Sequence, residues 1–239
     1  MKIWFMFWRC LLFLFAKICF PFKVMDKQKY KKYARGQIII TNHLSWMDVP
    51  YLYYCTPGFK RLLSKKENAG GKFRRAALES IGIIFVNREK PELSSMRECL
   101  NALKDGQTLS IFPEGTRNRV NREIGPMHSG AAMFALKGNA SVIPIVVHHK
   151  GKFFKRNYLG VGDPVPLDDL FGKRVDENVM QEATDRFRAG MQKTLDKLDK
   201  WVEEKGYKRE KKLQRAEAKK LKSQYKAAKS DYAKSSRCE

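Results

Sequence analysis

The stretch from Asn42 to Asp48, Asn-His-Leu-Ser-Trp-Met-Asp, carries the residue types of an acid–base site. His43 follows the apolar, β-type run 38–41, and Asp48 stands five residues after it. A histidine held in one tautomer by a carboxylate can act as a general base. On a continuous helix the two side chains would point about 140° apart, so they can meet only if His43 precedes a helix that begins near Ser45. This interpretation predicts a catalytic dyad.

An alternative interpretation gives both residues structural roles only. Ser45 and Asp48 have the Ser-x-x-Asp spacing of a capping box, in which Asp48 caps a helix and His43 is an ordinary loop residue. A His-x4-Asp pair also arises by chance in many proteins. The pair alone leaves both interpretations open, and the rest of the chain has to decide between them.

Composition limits the class of protein. The chain has 239 residues, 43% of them hydrophobic, which suits one large α/β domain or a domain with appendages. The formal charge of +23 indicates an anionic partner, which could be nucleic acid, an acidic membrane or a phosphorylated substrate. The five cysteines form neither a Cys-x-x-Cys pair nor a ligand spacing with histidine, so the sequence indicates no disulfide framework and no zinc site. This usage fits a reducing, cytosolic environment.

The N-terminal segment, residues 1–24, is aromatic and apolar and contains three cations, Lys2, Arg9 and Lys17. On a helix these cations fall within an arc of about 80°, which leaves a wide apolar face. The longest uncharged run, residues 10–16, is too short to span a bilayer. We expect an uncleaved helix that lies in one leaflet or dips into it, and a buried core helix is the alternative.

Apolar runs of strand type alternate with helical patterns along the middle of the chain. Predicted strands cover 38–41, 61–64, 82–88, 108–112 and 142–147, and predicted helices cover 46–54, 67–80, 128–138, 180–202 and the stretch from Pro91 to Gly106. This order predicts an α/β fold, a single domain with a mainly parallel or mixed central sheet flanked by helices. We divide the chain into a membrane-associating segment at 1–35, a domain at 36–204 and a Lys-rich tail, helical or disordered, at 205–239.

Four sequence blocks occur in a fixed order, and the third is the most specific. They are 42–48, Gly-Ile-Ile-Phe-Val-Asn-Arg at 82–88, Phe-Pro-Glu-Gly-Thr-Arg at 112–117, and an apolar run with a proline at 142–147. With these blocks the chain resembles the glycerolipid acyltransferases, and within them the 1-acyl-sn-glycerol-3-phosphate acyltransferase group. Asn87 departs from the pattern, because the family often has Asp at this place.

The resemblance implies a transferase. The fatty acyl group of acyl-CoA or acyl-carrier protein would pass to the free hydroxyl of 1-acyl-glycerol-3-phosphate and give phosphatidic acid. His43 would take the hydroxyl proton as general base, and Asp48 would fix the imidazole tautomer. No metal and no cofactor beyond the thioester co-substrate is expected, because a histidine base needs none.

The resemblance also implies a site for the phosphate and glycerol of the acceptor, made of Lys65, Arg88, Glu114, Gly115, Thr116 and Arg117. Arg88 and Arg117 each follow a predicted strand, and a guanidinium offers a bidentate fork to phosphate. Gly115 permits a tight turn. Glu114 would bind a glycerol hydroxyl or hold Arg117 in place.

Lysolipid substrates stay in the bilayer, so we expect a membrane-associated enzyme on the cytoplasmic face of the cell membrane, held there by anionic lipid. Acyl-carrier protein is a candidate partner. Two alternatives stay open: a related acyltransferase that uses glycerol-3-phosphate or another lysolipid, and a non-catalytic basic protein that binds membrane or nucleic acid. Nucleic acid is disfavoured, since the basic tail has few interleaved aromatic residues.

Overall fold

The computed structural model describes residues 7, 11, 14, 15, 18–31, 36–56, 60–87, 92–118 and 123–235. Seven strands lie within these ranges: β1 (Phe22–Met25), β2 (Ile38–Thr41), β3 (Lys60–Lys65), β4 (Ile83–Val86), β5 (Thr108–Ile111), β6 (Val142–Val147) and β7 (Asn157–Val161). The helices are α1 (Lys27–Lys31), α2 (Asp48–Cys55), α3 (Lys72–Ser80), α4 (Leu93–Lys104), α5 (Gly130–Lys137) and α6 (Glu177–Ser235). In this part of the chain, no helix combines the length and the apolar character needed to cross a membrane.

The strands form one sheet in the order β1-β7-β6-β2-β5-β3-β4. β2 to β6 run parallel to one another, so their carboxyl ends share one edge of the sheet. β2, β5 and β6 are buried along their whole length, which explains their nearly continuous apolar sequences. The predicted α/β class, a mainly parallel sheet flanked by helices, is confirmed.

β1 and β7 are not among the strands predicted from the sequence. β7 runs antiparallel to β6, and β1 runs parallel to β7, so both oppose the other five strands. The start of β1 therefore lies at the edge where β2 and β6 end. This arrangement brings the end of the N-terminal segment to the same edge as the residues that follow β2.

The predicted N-terminal helix lies largely outside the described residues. Five residues are described before Cys19, and all are helical: Phe7, Leu11, Leu14, Phe15 and Ile18. Their spacing of three and four residues places them on one face of a helix. Between 41% and 60% of each residue's surface is exposed, so this part of the face is apolar and open to solvent.

Residues 67–80 do not form one helix, as the sequence analysis expected. A 3-10 turn covers Lys66–Ala69, and α3 begins only at Lys72. Gly70 separates them with φ of +63°, a left-handed conformation that cannot continue either element. α2 begins at Asp48, three residues after the predicted start at Ser45.

The helix predicted at 180–202 is longer than expected and runs from Glu177 to Ser235. The chain divides into two compact units, at residues 1–198 and 199–239. In the first unit the predicted apolar stripe of α6 is buried: Ala183, Phe187, Met191, Leu195 and Leu198. Gly162 permits the close approach of α6 to the sheet, since a Cβ there would lie 2.2 Å from Thr194 Oγ1.

Candidate active site

A cavity of about 710 Å³ lies at the edge where the parallel strands end. It is lined by the last residues of β3, by residues that follow β2, β3 and β5, and by residues of α3. The polar side chains in its lining are His43, Ser64, Lys65, Asn68, Arg74, Thr116 and Arg117. In open α/β sheets the loops after the strand ends are where ligands usually bind.

His43 and Asp48 meet at this edge. His43 Nδ1 lies 3.0 Å from Asp48 Oδ2, while the imidazole is partly exposed and the carboxylate is fully buried. Because a carboxylate only accepts hydrogen bonds, it selects the tautomer with the proton on Nδ1. The lone pair on Nε2 is then available to a proton donor in the cavity.

Asp48 is held by three further donors. Its Oδ2 accepts the backbone N–H groups of Leu44 and Ser45, both at 2.7 Å, and its Oδ1 accepts the Ser45 hydroxyl at 3.0 Å. Asp48 therefore organises the loop before α2 and contacts His43 at the same time. The two side chains meet as the dyad interpretation requires, whereas the capping interpretation is wrong, because Asp48 is the first residue of α2 and binds the loop before the helix. Ser45 itself does not cap the helix, whose N-cap is Met47, without a side-chain bond.

The third sequence block supports His43 from the opposite side. The ring of Phe112 stacks on the imidazole, with 4.1 Å between ring centroids and 23° between planes. The Asn118 backbone N–H donates to the His43 carbonyl at 2.7 Å. Between them, Gly115 turns the chain with φ of +73°, and its N–H donates to the Phe112 carbonyl. The hexapeptide and Asn118 directly after it thus fix both the ring and the backbone of His43.

Asn42 is a positioning residue that the sequence analysis did not single out. Its side chain is fully buried and bonds twice to the backbone of Val147, as donor to the carbonyl at 3.0 Å and as acceptor from the N–H at 2.8 Å. These two bonds join the ends of β2 and β6 next to His43. The partner lies 105 residues away in sequence, so only the position after an apolar strand could have drawn attention to Asn42.

Cations dominate the cavity. Lys65, Arg74 and Arg117 line it, and no carboxylate belongs to the described part of its lining. Such a wall favours an anionic group, and guanidinium forks suit phosphate. Lys65, Gly115, Thr116 and Arg117 were predicted for this site, whereas Arg74 was not, because α3 carries no motif that marks it. Arg88, also predicted, lies outside the described residues.

Glu114 lies apart from the lining of the cavity. It is 9% exposed, and its Oε1 has no hydrogen-bond partner among the described residues. Burial raises the pKa of the Glu114 carboxyl to about 7; a backbone hydrogen bond from His43 opposes this rise, and the charge of Asp48 adds to it. The structure therefore places a carboxyl that titrates near neutral pH next to the backbone of the dyad.

This raised pKa predicts a pH-dependent stability. From pH 4.5 to about 7 the folded protein holds a proton on Glu114 that the unfolded chain has released. Stability is therefore lost as pH rises through this window, by about 3 kcal/mol at most. Glu114→Gln lacks this titration. The free energy of unfolding of the variant, relative to that of the wild type, should therefore increase as pH rises from 4.5 to 8. Denaturant titrations across that pH range measure both free energies of unfolding, with Glu67→Gln as the exposed control. A difference between Glu114→Gln and wild type that does not change with pH would contradict the prediction.

A second cavity, of about 490 Å³, lies beside the first. Leu63 and Phe112 line both cavities. The lining of the second is mainly apolar and includes Val86, Met96, Ile111, Met133 and Phe134. Asn87, where the family often has Asp, also lines it. An elongated molecule with an apolar tail and an anionic head would match the two cavities together.

Comparisons with known proteins agree on one family. A family model described as Acyltransferase matches residues 22–148, more than half of the chain. The 1-acyl-sn-glycerol-3-phosphate acyltransferase of Bacillus subtilis is 30% identical over 171 residues, which cover 68% of this chain and 84% of that protein. The enzyme of the same name from Helicobacter pylori is 32% identical over 121 residues, which cover 50% of this chain and 51% of the relative. The match thus spans about half the length of the Helicobacter protein.

The fold has a solved counterpart. The crystal structure of the 1-acyl-sn-glycerophosphate (LPA) acyltransferase of Thermotoga maritima superposes with a TM-score of 0.54. The match covers 72% of this chain and 71% of that one at 22% sequence identity, which establishes a common fold.

Proposed function

The chain belongs to the acyltransferase family, and from that premise we propose that it transfers a fatty acyl group from acyl-CoA or acyl-carrier protein to the hydroxyl of 1-acyl-glycerol-3-phosphate. One observation carries the proposal. The accessible face of the His43–Asp48 pair and three cations, Lys65, Arg74 and Arg117, share a single cavity. A base and an anion site within one cavity are what transfer to a phosphate-bearing alcohol requires.

The reaction follows from the orientation of the imidazole. The acceptor hydroxyl attacks the thioester carbonyl carbon while Nε2 of His43 takes its proton. Asp48 stabilises the imidazolium that forms. The tetrahedral intermediate collapses, the carbon–sulfur bond breaks, and the leaving thiolate takes the proton back from His43. An ester and a free thiol result, the base is regenerated, and no metal or cofactor takes part in these steps.

The second cavity supplies a place for an acyl chain. Its lining is mainly apolar, and it adjoins the His43–Asp48 pair through Phe112, whose ring stacks on His43. Each methylene moved out of water contributes about 0.8 kcal/mol, so an apolar cavity next to the base binds and aligns a long chain. We propose that an acyl chain occupies it while the acceptor phosphate contacts the cations of the first cavity.

The substrates also determine where the enzyme works. A long-chain lysolipid stays in the bilayer, so the protein has to bind the membrane surface. The exposed apolar residues Phe7, Leu11, Leu14 and Ile18 and the charge of +23 support binding to anionic lipid. We place the protein on the cytoplasmic face, where acyl-CoA and acyl-carrier protein, both anionic, are available as donors.

Purified protein with long-chain acyl-CoA and lysophosphatidate tests the proposal directly. Formation of phosphatidic acid is expected, and glycerol-3-phosphate, a neutral lysolipid and acyl-carrier protein serve as parallel substrates. Preference for glycerol-3-phosphate would reassign the acceptor within the family. Absence of transfer with every donor and acceptor would overturn the catalytic function and leave a basic membrane-binding protein.

Arg117 provides a prediction about the acceptor. A charged hydrogen bond to phosphate is worth about 1.5–3 kcal/mol, so Arg117→Ala should raise KM for lysophosphatidate about 10–100-fold. KM for a monoacylglycerol, which has no phosphate, should stay at the wild-type value. Arg97→Ala is the matched control, because Arg97 is exposed on α4 and lines neither cavity. Equal KM values for lysophosphatidate in wild type and Arg117→Ala would exclude Arg117 from phosphate binding.

A further inference from the structure

The loop between β6 and β7 exposes two adjacent phenylalanines. Phe153 is 55% exposed and Phe154 is 72% exposed. Lys152, Lys155 and Arg156 flank them and are exposed as well. The sequence contains no acidic residue from 124 to 162, so no carboxylate near in sequence offsets these cations. Apolar side chains directly beside cations are costly in water and suit the headgroup boundary of an anionic bilayer.

The loop has a defined structure that presents these side chains. Asn157 is fully buried, and its Oδ1 accepts the Lys152 N–H at 3.0 Å while its Nδ2 donates to the Lys155 carbonyl at 2.8 Å. One side chain thus joins both ends of the loop. Phe154 has φ of +51°, which is strained for a residue with a Cβ, and its N–H donates to the Cys19 carbonyl at 2.7 Å. The loop is therefore tied to the N-terminal segment.

Aromatic contacts connect this loop to the mouth of the first cavity. The buried ring of Phe20 lies 4.3 Å from Phe153, 6.0 Å from Trp46 and 6.3 Å from Phe15, measured between ring centroids. Trp46 is 57% exposed and lines the same cavity as His43. Phe15, Trp46 and Phe153 thus surround Phe20, and Phe154 extends this exposed group through Phe153, with 5.5 Å between ring centroids. Contiguous exposed apolar groups of this kind mark interaction surfaces.

We propose that residues 152–156 are a second membrane anchor, in addition to the N-terminal segment. Phe153 and Phe154 enter the acyl boundary of an anionic leaflet, and Lys152, Lys155 and Arg156 contact its headgroups. The anchor deepens the proposed function and rests on it for the choice of a bilayer as partner. Its consequence is positional: with the loop and Trp46 in the leaflet, the cavity of His43 opens onto lipid, and a lysolipid enters without crossing water.

Vesicle binding tests the anchor without any turnover. Full-length wild type, Phe153→Ala/Phe154→Ala and Lys152→Gln/Lys155→Gln/Arg156→Gln are sedimented with vesicles of phosphatidylcholine and phosphatidylglycerol. The phenylalanine variant should bind at least about tenfold more weakly, and the charge variant should lose its preference for phosphatidylglycerol. Phe73→Ala is the matched control, because Phe73 is 91% exposed on α3. Unchanged binding in both loop variants, or an equal loss in Phe73→Ala, would overturn the proposal.

A depth measurement gives a second, independent result. Phe154→Trp and Phe73→Trp share the same four native tryptophans, so their difference in quenching by brominated lipid reports only the added ring. Stronger quenching of Phe154→Trp is expected, and equal quenching would overturn insertion of the loop. Transfer to a short-chain, water-soluble lysophosphatidate should be retained in the loop variants. If no variant transfers an acyl group, the proposed function fails, while the binding and depth results still decide on the anchor.

Discussion

Replacement of His43 by alanine is expected to lower kcat/KM for acyl transfer to lysophosphatidate about 10²–10⁴-fold, the contribution of a positioned general base. The side chain is partly exposed, so the variant loses the stacking contact with Phe112 and the hydrogen bond to Asp48, whose carboxylate keeps its three donors from Leu44 and Ser45. The protein should remain folded. Initial rates at saturating acyl-CoA, beside circular dichroism of the same preparations, separate loss of chemistry from loss of structure.

The control for His43→Ala is another histidine. His149 follows β6, lines neither cavity and has no part in the dyad, so His149→Ala should retain activity close to the wild type. His43→Gln keeps a polar group of similar reach without a base and should be as inactive as His43→Ala. Activity of His43→Ala equal to that of the wild type would refute the mechanism.

The second large effect is expected at Asp48, and two substitutions separate its two roles. In Asp48→Asn the amide oxygen can take the place of Oδ2, where Leu44, Ser45 and His43 donate, and the NH₂ group can donate to the Ser45 hydroxyl. The variant should therefore keep the fold and the His43 tautomer and lose only the negative charge at position 48. Charge centres about 4 Å apart interact by about 4 kcal/mol at an effective dielectric constant of 20, so kcat should fall about 10²–10³-fold.

Asp48→Ala should in addition destabilise the fold. The backbone N–H groups of Leu44 and Ser45 would lose their acceptor, at a cost of about 1–3 kcal/mol for each buried group. Denaturant unfolding should therefore distinguish Asp48→Ala from Asp48→Asn, although both lose activity. Ser45→Ala removes only the hydroxyl bond to Oδ1 and serves as control. Wild-type kcat in Asp48→Asn would show that the charge of Asp48 does not contribute.

The arrangement of the site explains why four separate sequence blocks belong to one function. The first block provides the His43–Asp48 pair after β2. The third fixes the imidazole through Phe112, and Asn118 directly after it binds the His43 carbonyl. The fourth accepts the Asn42 amide through Val147. The second places Asn87 in the apolar cavity. In the described part of the chain, each block therefore helps to build the site, whether or not it also contacts a substrate.

The His43–Asp48 contact, the turn at Gly115 and the parallel sheet could be predicted from the sequence, because they depend on residues close together in the chain. His43 and Asp48 lie five residues apart, and the turn between them brings the side chains together through hydrogen bonds within the same loop. The turn at Gly115 is likewise closed by a bond across three residues. The alternation of apolar strands with helical patterns predicted the parallel sheet, since parallel strands require crossover helices.

Other features depend on partners distant in sequence. β1 has four residues of mixed burial after an apolar helix, and it becomes a strand only because β7 offers an edge some 135 residues later. Arg74 belongs to the cavity because α3 packs against β4, and spacing does not encode that position.

The sequence by itself therefore determined the contact between His43 and Asp48, the turn at Gly115 and the class of fold, because short-range hydrogen bonds and hydrophobic periodicity follow from neighbouring residues. The order of the strands, the joining of β2 to β6 by Asn42 and the meeting of the loop at 152–156 with Phe20 and Trp46 were decided by tertiary structure. These contacts form only when the chain buries its apolar strands in one sheet, and that global packing sets which distant residues become neighbours.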